Sequence, residues 1–249
     1  MSWLNERRLP PGTITIGSKW GYTYVGEWRS DAPVHEVKDH SLGALRRQMA
    51  ESRAILGDYL SLYQIHSATL ESGVLADREV LSELVCCREA GLAVGLTVSG
   101  PRQPDVVKVA LDATADGVNP FSSVQATWNL LEPSCGPALA EAKDAGWGVI
   151  VKEGVANGRL TPYGTDARRL LLRDMAEQHH VSVDQIALGA ALAQPWVDVV
   201  LSGAVTVDAL SSNMAASRLV LGQPELTELA ALAETPDEYW QSRRELPWR

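Results

Sequence analysis

Apolar and polar positions in this chain switch repeatedly between a two-residue and a 3.6-residue period, and the switching starts near residue 13. Thr13-Ile14-Thr15-Ile16-Gly17-Ser18-Lys19 is a short β-branched run after Pro10-Pro11-Gly12, which predicts a strand opening at a turn. Leu42, Leu45, Met49 and Leu56 then recur near one helical face, with Gly57 as the stop. Tyr59 to His66 reads as the next strand. Asp77 is placed to cap a helix that turns Val80, Leu81, Leu84 and Val85 one way and ends at Gly91. Ala93-Val94-Gly95-Leu96-Thr97-Val98 is continuously apolar, as strands buried on both faces are.

Pro104 opens a helix carrying Val106, Val107, Ala110 and Leu111, and Ser123 to Thr127 is a further strand. A small-residue helix runs from Pro137 to Gly146, followed by the strand Trp147-Gly148-Val149-Ile150-Val151. A long connection then holds a loop from Gly154 to Gly164, a helix from Leu170 to His179 and a second helix begun by Ser182. Val197 to Leu201 is the last strand, Asp208 the cap of the next helix, and Leu226 to Leu232 a helix before a polar, Trp-containing tail. Strands each followed by a helix imply a parallel sheet with helices packed outside it. Periodicity alone does not separate an open sheet from a closed barrel, but no Gly-x-Gly-x-x-Gly follows the first strand, which argues against a Rossmann domain.

Composition narrows the function classes. The 249 residues are 45% hydrophobic and 21% charged, enough apolar material for a single core-forming domain spanning 1–249. A net charge of −9 argues against nucleic acid as a partner, since phosphate binding needs a concentrated basic face. No apolar run approaches the roughly 20 residues that span a bilayer, and no apolar stretch follows Met1 to Arg8 as in a signal peptide. Three cysteines, two of them the adjacent Cys86 and Cys87, make a poor disulfide framework and suit a reducing cytoplasm. His35 and His40 are five residues apart, about 140° on a helix, so no metal site is expected there.

Several strand ends, read in order, resemble those of the aldo-keto reductases, (β/α)8 barrels that move hydride between NAD(P)H and carbonyls. Ser18-Lys19-Trp20 is similar to the strand end carrying that family's catalytic lysine, and Tyr63-Gln64-Ile65-His66 to the one carrying its histidine. Gly95 to Gly100 resembles the segment whose serine, here Ser99, holds the nicotinamide carboxamide. Val124 to Leu131 resembles the segment whose glutamine, here Gln125, holds the same amide. Gly158-Arg159-Leu160 is similar to the loop after strand seven, and Ser202-Gly203-Ala204 through Asn213 to the phosphate- and adenine-binding segment. The resemblance implies Lys19 and His66 as catalytic residues, with Ser99, Gln125, Lys152, Gly203, Ala204 and Asn213 around the cofactor. Trp20, Trp28 and Trp128 fall near the mouth such a barrel would have, as pocket walls or as packing.

This chain departs from the family pattern at several points. Gly100 stands where many members have asparagine, and Lys152 where an aromatic residue commonly stacks on the nicotinamide. Near Ala204 and Ala209 no basic residue matches those that grip a 2′-phosphate, so NADH is as well supported as NADPH. Only 12 residues precede Thr13, and the family's aspartate and proton-donating tyrosine lie in strands before the lysine. Tyr22 and Tyr24 follow Lys19 and cannot take the donor's role by order. The implied fold is a TIM-type barrel lacking its first two βα units, with a longer natural chain as one explanation. The implied function is reduction of an aldehyde, ketone or aldose, with a non-catalytic barrel that binds a dinucleotide or a protein as the alternative. A third outcome is a fragment unable to fold alone, because its opened barrel edge exposes apolar surface worth on the order of 10 kcal/mol; a homo-oligomer could cover that edge. Without its acid the chain as written is expected to show no NAD(P)H-dependent carbonyl reduction.

Overall fold

The computed structural model describes residues 2–29, 31–164 and 169–246. They divide into two compact units, one of residues 2–99 with Asp105–Val124, the other of Gly100–Pro104 with Gln125–Leu246. In the first, a short helix α1 (Ser2–Glu6) precedes strand β1 (Ile16–Trp20). The strand begins later than the β-branched run suggested, because the Thr13 N–H is used in a turn to the carbonyl of Pro10. After Trp20 the chain makes an antiparallel hairpin of β2 (Tyr22–Tyr24) and β3 (Glu36–Lys38). The stretch after His35 is therefore strand rather than helix.

Helix α2 (Leu42–Leu56) is capped by the Ser41 hydroxyl, which accepts the Ala44 N–H, and it buries Ala44, Leu45, Met49 and Ser52 on one face. That face packs on β1 and on β4 (Leu60–Ala68), where the Ser18 and Ser52 hydroxyls bond at 2.9 Å. Asp77 caps α3 (Arg78–Glu89) as anticipated, accepting the N–H groups of Glu79 and Val80. Cys87 is buried on that helix and Cys86 is exposed. Strand β5 (Ala93–Val98) is buried from Val94 onward, and α4 (Gln103–Asp112) follows. The order within this unit is β1-β4-β5, parallel throughout.

Strand β6 (Ser123–Thr127) starts in the first unit and ends in the second, where the order is β6-β7-β8. Helix α5 (Gly136–Asp144) brings Ala138, Leu139 and Ala142 against β7 (Gly148–Lys152). Between β7 and β8 (Val199–Val200) lie α6 (Arg169–His179) and α7 (Val183–Leu192). Seven of the ten α7 residues are buried, which fits its place between α6 and α8 (Val207–Ala215). The cap of α8 is Thr206, not Asp208: the helix starts two residues earlier than expected, and Asp208 falls inside its first turn. Helix α9 (Gln223–Leu229) continues as a tighter turn to Leu232. The polar segment beyond is no loose tail. It forms α10 (Pro236–Arg244), capped by Thr235, with Tyr239 and Trp240 buried; residues 247–249, the end of that tail, lie outside the described residues. No helix among the described residues is long and apolar enough to cross a membrane.

Asp198 fastens β8 to β7. Its N–H donates to the Val149 carbonyl (3.0 Å), its carboxylate accepts the Val149 N–H (2.8 Å), and Lys143 pairs with it. The Lys143 hydrogen bond, followed by that of the Val149 N–H, holds the Asp198 carboxyl below its ordinary range. A carboxyl depressed in the folded state stabilises it above the unfolded pKa, about 3.9, and loses that contribution as pH falls through the folded value. Asp198→Asn should therefore lower stability at pH 7, by under about 1 kcal/mol because the pair is partly exposed. In urea titrations the gap from wild type should close as pH falls below about 4, and a gap independent of pH would refute this account.

Candidate active site

The pairing of β1 with β4 sets Lys19 opposite Gln64, and that of β4 with β5 sets Gln64 opposite Gly95. Side chains two apart on a strand share a face, so His66 stands on the Gln64 and Lys19 side, one step nearer the carboxyl end. Lys19 makes no hydrogen bond or ion pair among the described residues, and partial loss of hydration lowers its pKa from the ordinary lysine value. Below His66 the layer is polar and tight. The Gln64 Nε2 and Ser123 Oγ are buried without a hydrogen-bond partner among the described residues. A side chain at Gly95 would place its Cβ 2.2 Å from the Ser123 Oγ, so only glycine fits between them.

At His66 and Ser67 the β4 strand leaves its register with β5, and Ser67 takes a left-handed conformation (φ 54°). Three side chains hold this bulge. The His40 Nε2–H donates to the His66 carbonyl (2.9 Å), the Lys38 ammonium donates to the Ser67 carbonyl (2.8 Å), and the Thr97 hydroxyl accepts the Ser67 N–H (2.7 Å). The His40 ring reaches that position only because residue 21 is glycine: a Cβ there would lie 2.3 Å from the ring. Burial lowers the His40 pKa, so the ring is neutral at pH 7. Desolvation also lowers the Lys38 pKa, opposed by the charge of Glu71. The Tyr22 ring lies against His66, with centroids 4.7 Å apart, and the Lys38 ammonium is 5.8 Å from the Tyr22 centroid. Sequence reasoning set Tyr22 aside by chain order, weighed His40 only as a metal ligand and gave Lys38 no role; the signal was Gly21, which turns the chain back after Trp20.

In the second unit Gln103, fully buried, completes the end of β6: its amide donates to the Thr127 carbonyl (2.9 Å) and accepts the Thr127 N–H (3.2 Å). Lys152, half-buried, donates to the Thr127 hydroxyl at 2.7 Å. Asn129 accepts the N–H groups of Leu131 and Glu132 and donates to the Glu153 carbonyl and the Tyr239 hydroxyl, all at 3.0 Å. Glu153 is left-handed (φ 59°), and its carboxylate takes two hydrogen bonds from Arg243. Burial alone would raise the Glu153 carboxyl, but the charges of Lys152 and Arg243 hold it below its ordinary range. Glu132 is fully buried, and desolvation pushes its carboxyl up despite bonds from Ser134 and Gln103. Gln125 is 3% exposed, and its amide has no hydrogen bond among the described residues.

Gly203, Ala204 and Asn213 lie together on a cavity of about 550 Å3, with Ser182, Asp184 and Thr206 also in its wall. Among the described residues no lysine or arginine lines it, and Asp184 and Asp208 do. Asn213 donates to the Ser202 hydroxyl (2.8 Å), and the Ser99 hydroxyl donates to the carbonyl of Val98 (2.8 Å). Arg159 pairs with Glu234 rather than facing open space. Trp20 is buried against His40 and Trp128 against Trp196, whereas Trp28 is 91% exposed.

A parallel α/β sheet with lysine and histidine at adjacent strand ends defines a class, the barrel-type oxidoreductases. The profile described as Aldo/keto reductase family matches residues 2–234, and the chain belongs to that family. The aldo-keto reductase AKR11C1 from Bacillus halodurans, in its holo form, is 21% identical with a TM-score of 0.71, covering 94% of this chain and 76% of that one. The thermostable aldo-keto reductase Tm1743, solved with the inhibitor epalrestat, is 22% identical with a TM-score of 0.62, covering 76% and 66%. At these identities the likeness is one of fold. None of the curated proteins compared with the chain matches it. The profile match begins at residue 2, so the expectation that the first two βα units are missing is not borne out.

Asn129→Ala would take the partner from the Leu131 N–H and remove one of two hydrogen bonds from the Glu132 N–H, the Glu153 carbonyl and the Tyr239 hydroxyl. The expected loss is about 1–3 kcal/mol in urea unfolding. An unchanged midpoint would show that the strand-end network carries no stability.

Proposed function

We propose that this chain reduces a small carbonyl compound, an aldehyde, ketone or aldose, with a nicotinamide cofactor. The observation that carries the reading is the shared face of Lys19 and His66 at the carboxyl ends of paired strands, where parallel α/β folds build their sites. The imidazole of His66 orients the carbonyl and polarises its oxygen as negative charge grows there. Lys19, without a hydrogen bond or ion pair among the described residues, supplies a nearby positive charge to the same oxygen. When bound, the reduced nicotinamide supplies the hydride.

The residues of the second unit suit that cofactor. Gln125 offers a nearly buried amide with its hydrogen-bonding capacity unspent, the chemistry that pairs with a carboxamide. The cavity at Gly203, Ala204 and Asn213 has the volume for the adenosine portion, with a few polar groups in a largely apolar wall. Its carboxylates, with no cation among the described lining residues, favour NADH over NADPH, because a 2′-phosphate would meet Asp184 and Asp208. Lys152 would meet the nicotinamide through its methylene stem, since its amine is held by Thr127. Free thiols at Cys86, Cys87 and Cys135 suit a reducing cytoplasm.

Quenching of protein fluorescence on titration with each dinucleotide tests the cofactor half directly. NADH should bind about tenfold more tightly than NADPH, a difference of about 1.4 kcal/mol. Tighter binding of NADPH would refute the charge argument, and binding without carbonyl turnover would favour the non-catalytic alternative.

A further inference from the structure

We infer that Tyr22 is the proton donor of this site, the group that completes Lys19 and His66. The inference rests on the reductase reading above. A carbonyl that accepts hydride becomes an alkoxide unless a proton arrives, and a donor must stand within reach of the same oxygen that His66 contacts. Tyr22 is the tyrosine packed on His66, ring centroid to ring centroid 4.7 Å at an interplanar angle of 56°. It is half-buried, and its hydroxyl makes no hydrogen bond among the described residues, so its proton is not committed elsewhere.

Chain order would deny Tyr22 this role, because it follows Lys19 by three residues. The fold brings it back. Gly21 lets the backbone reverse after Trp20, and the β2–β3 hairpin it starts carries Lys38 directly opposite Tyr22. Lys38 is itself anchored to the Ser67 carbonyl, one residue beyond His66, which holds its ammonium 5.8 Å from the Tyr22 ring. The hairpin and the bulge at the end of β4 are thus fastened to each other by Lys38, with Tyr22 between them. His40, 6.4 Å from Tyr22 on its other side, holds the His66 carbonyl and is neutral.

In the step assigned to Tyr22, its O–H bond breaks and a new O–H bond forms on the substrate oxygen. That oxygen holds the electron pair released from the C=O π bond as the nicotinamide hydride reaches the carbon. The phenolate left behind belongs to the ring whose centroid lies 5.8 Å from the Lys38 ammonium, and it regains its proton from water. Tyr24, two residues on, packs on Trp28 at 4.8 Å and has no place in this step.

The test compares wild type with Tyr22→Phe and Tyr24→Phe, using 4-nitrobenzaldehyde and NADH as probes. Tyr22→Phe keeps the ring on His66 and removes only the hydroxyl. Its kcat should fall about 100-fold or more with the NADH dissociation constant unchanged, while Tyr24→Phe should match wild type. A second readout needs no cofactor. The C=O stretch of 4-nitrobenzaldehyde bound to the cofactor-free protein, read by difference infrared spectroscopy, should lie lower in wild type than in Tyr22→Phe. Equal kcat or equal stretch in the two proteins overturns the assignment of Tyr22 and leaves the reductase reading standing. A wild type that binds NADH without turnover overturns the donor role and supports the non-catalytic alternative. A wild type that binds neither dinucleotide overturns the reductase reading and Tyr22 with it.

Discussion

A parallel strand that runs out of its sheet leaves backbone N–H and C=O groups with no neighbouring strand to pair them, and burial makes each one expensive to leave unmade. This chain solves the problem at the ends of β4, β6 and β7 with side chains. His40, Lys38 and Thr97 serve the end of β4, Gln103 serves Thr127 at the end of β6, and Asn129 serves the turn beyond it and the Glu153 carbonyl after β7. The polar residues crowded at these ends are first of all the means by which the sheet can stop.

That requirement sorts the polar side chains near the site by what remains to them. Lys152 has donated to Thr127, Asn213 to Ser202, and Ser99 to its own neighbour's carbonyl. Lys19, the Gln125 amide and the Tyr22 hydroxyl carry no hydrogen bond among the described residues. Uncommitted donors and acceptors retain the capacity to hold a ligand, whether exposed as Lys19 is or buried as Gln125 is, whereas committed ones must give up a bond to do so. Strained backbone falls at the same places: Ser67 and Glu153 are both left-handed, each one residue past a strand-end position of the site.

The second unit adds a constraint of its own. Glu153 draws Arg243 and Tyr239 of α10 to the end of β7, and Asn129 meets the same Tyr239 hydroxyl. The C-terminal helix is therefore part of the network that fixes β6 and β7, although it stands more than 80 residues beyond Glu153 in the chain. A change in Arg243 would reach the site through the Glu153 carboxylate, whose ionised form depends on that guanidinium and on Lys152.

The elements that were legible in the sequence are those whose apolar residues alone declare them. The 3.6 period of Leu42 to Leu56, the Asp77 cap and the unbroken run of β5 translate directly into burial. Helix α10 was not legible, because only Tyr239 and Trp240 are buried in a nine-residue segment rich in charge. The β2–β3 hairpin is three residues on each side, too short for a period to show. The same reasoning explains the site. Lys19 and His66 are strand-end residues, and position along a strand is a local property that a sequence carries. Tyr22 reaches His66 through a reversal at Gly21 and a cross-strand anchor from Lys38 to Ser67, 29 residues away. Order along the chain can exclude a residue from an inherited place, but it cannot exclude one from contact. Where two groups need only share an oxygen atom, contact is the criterion that chemistry applies.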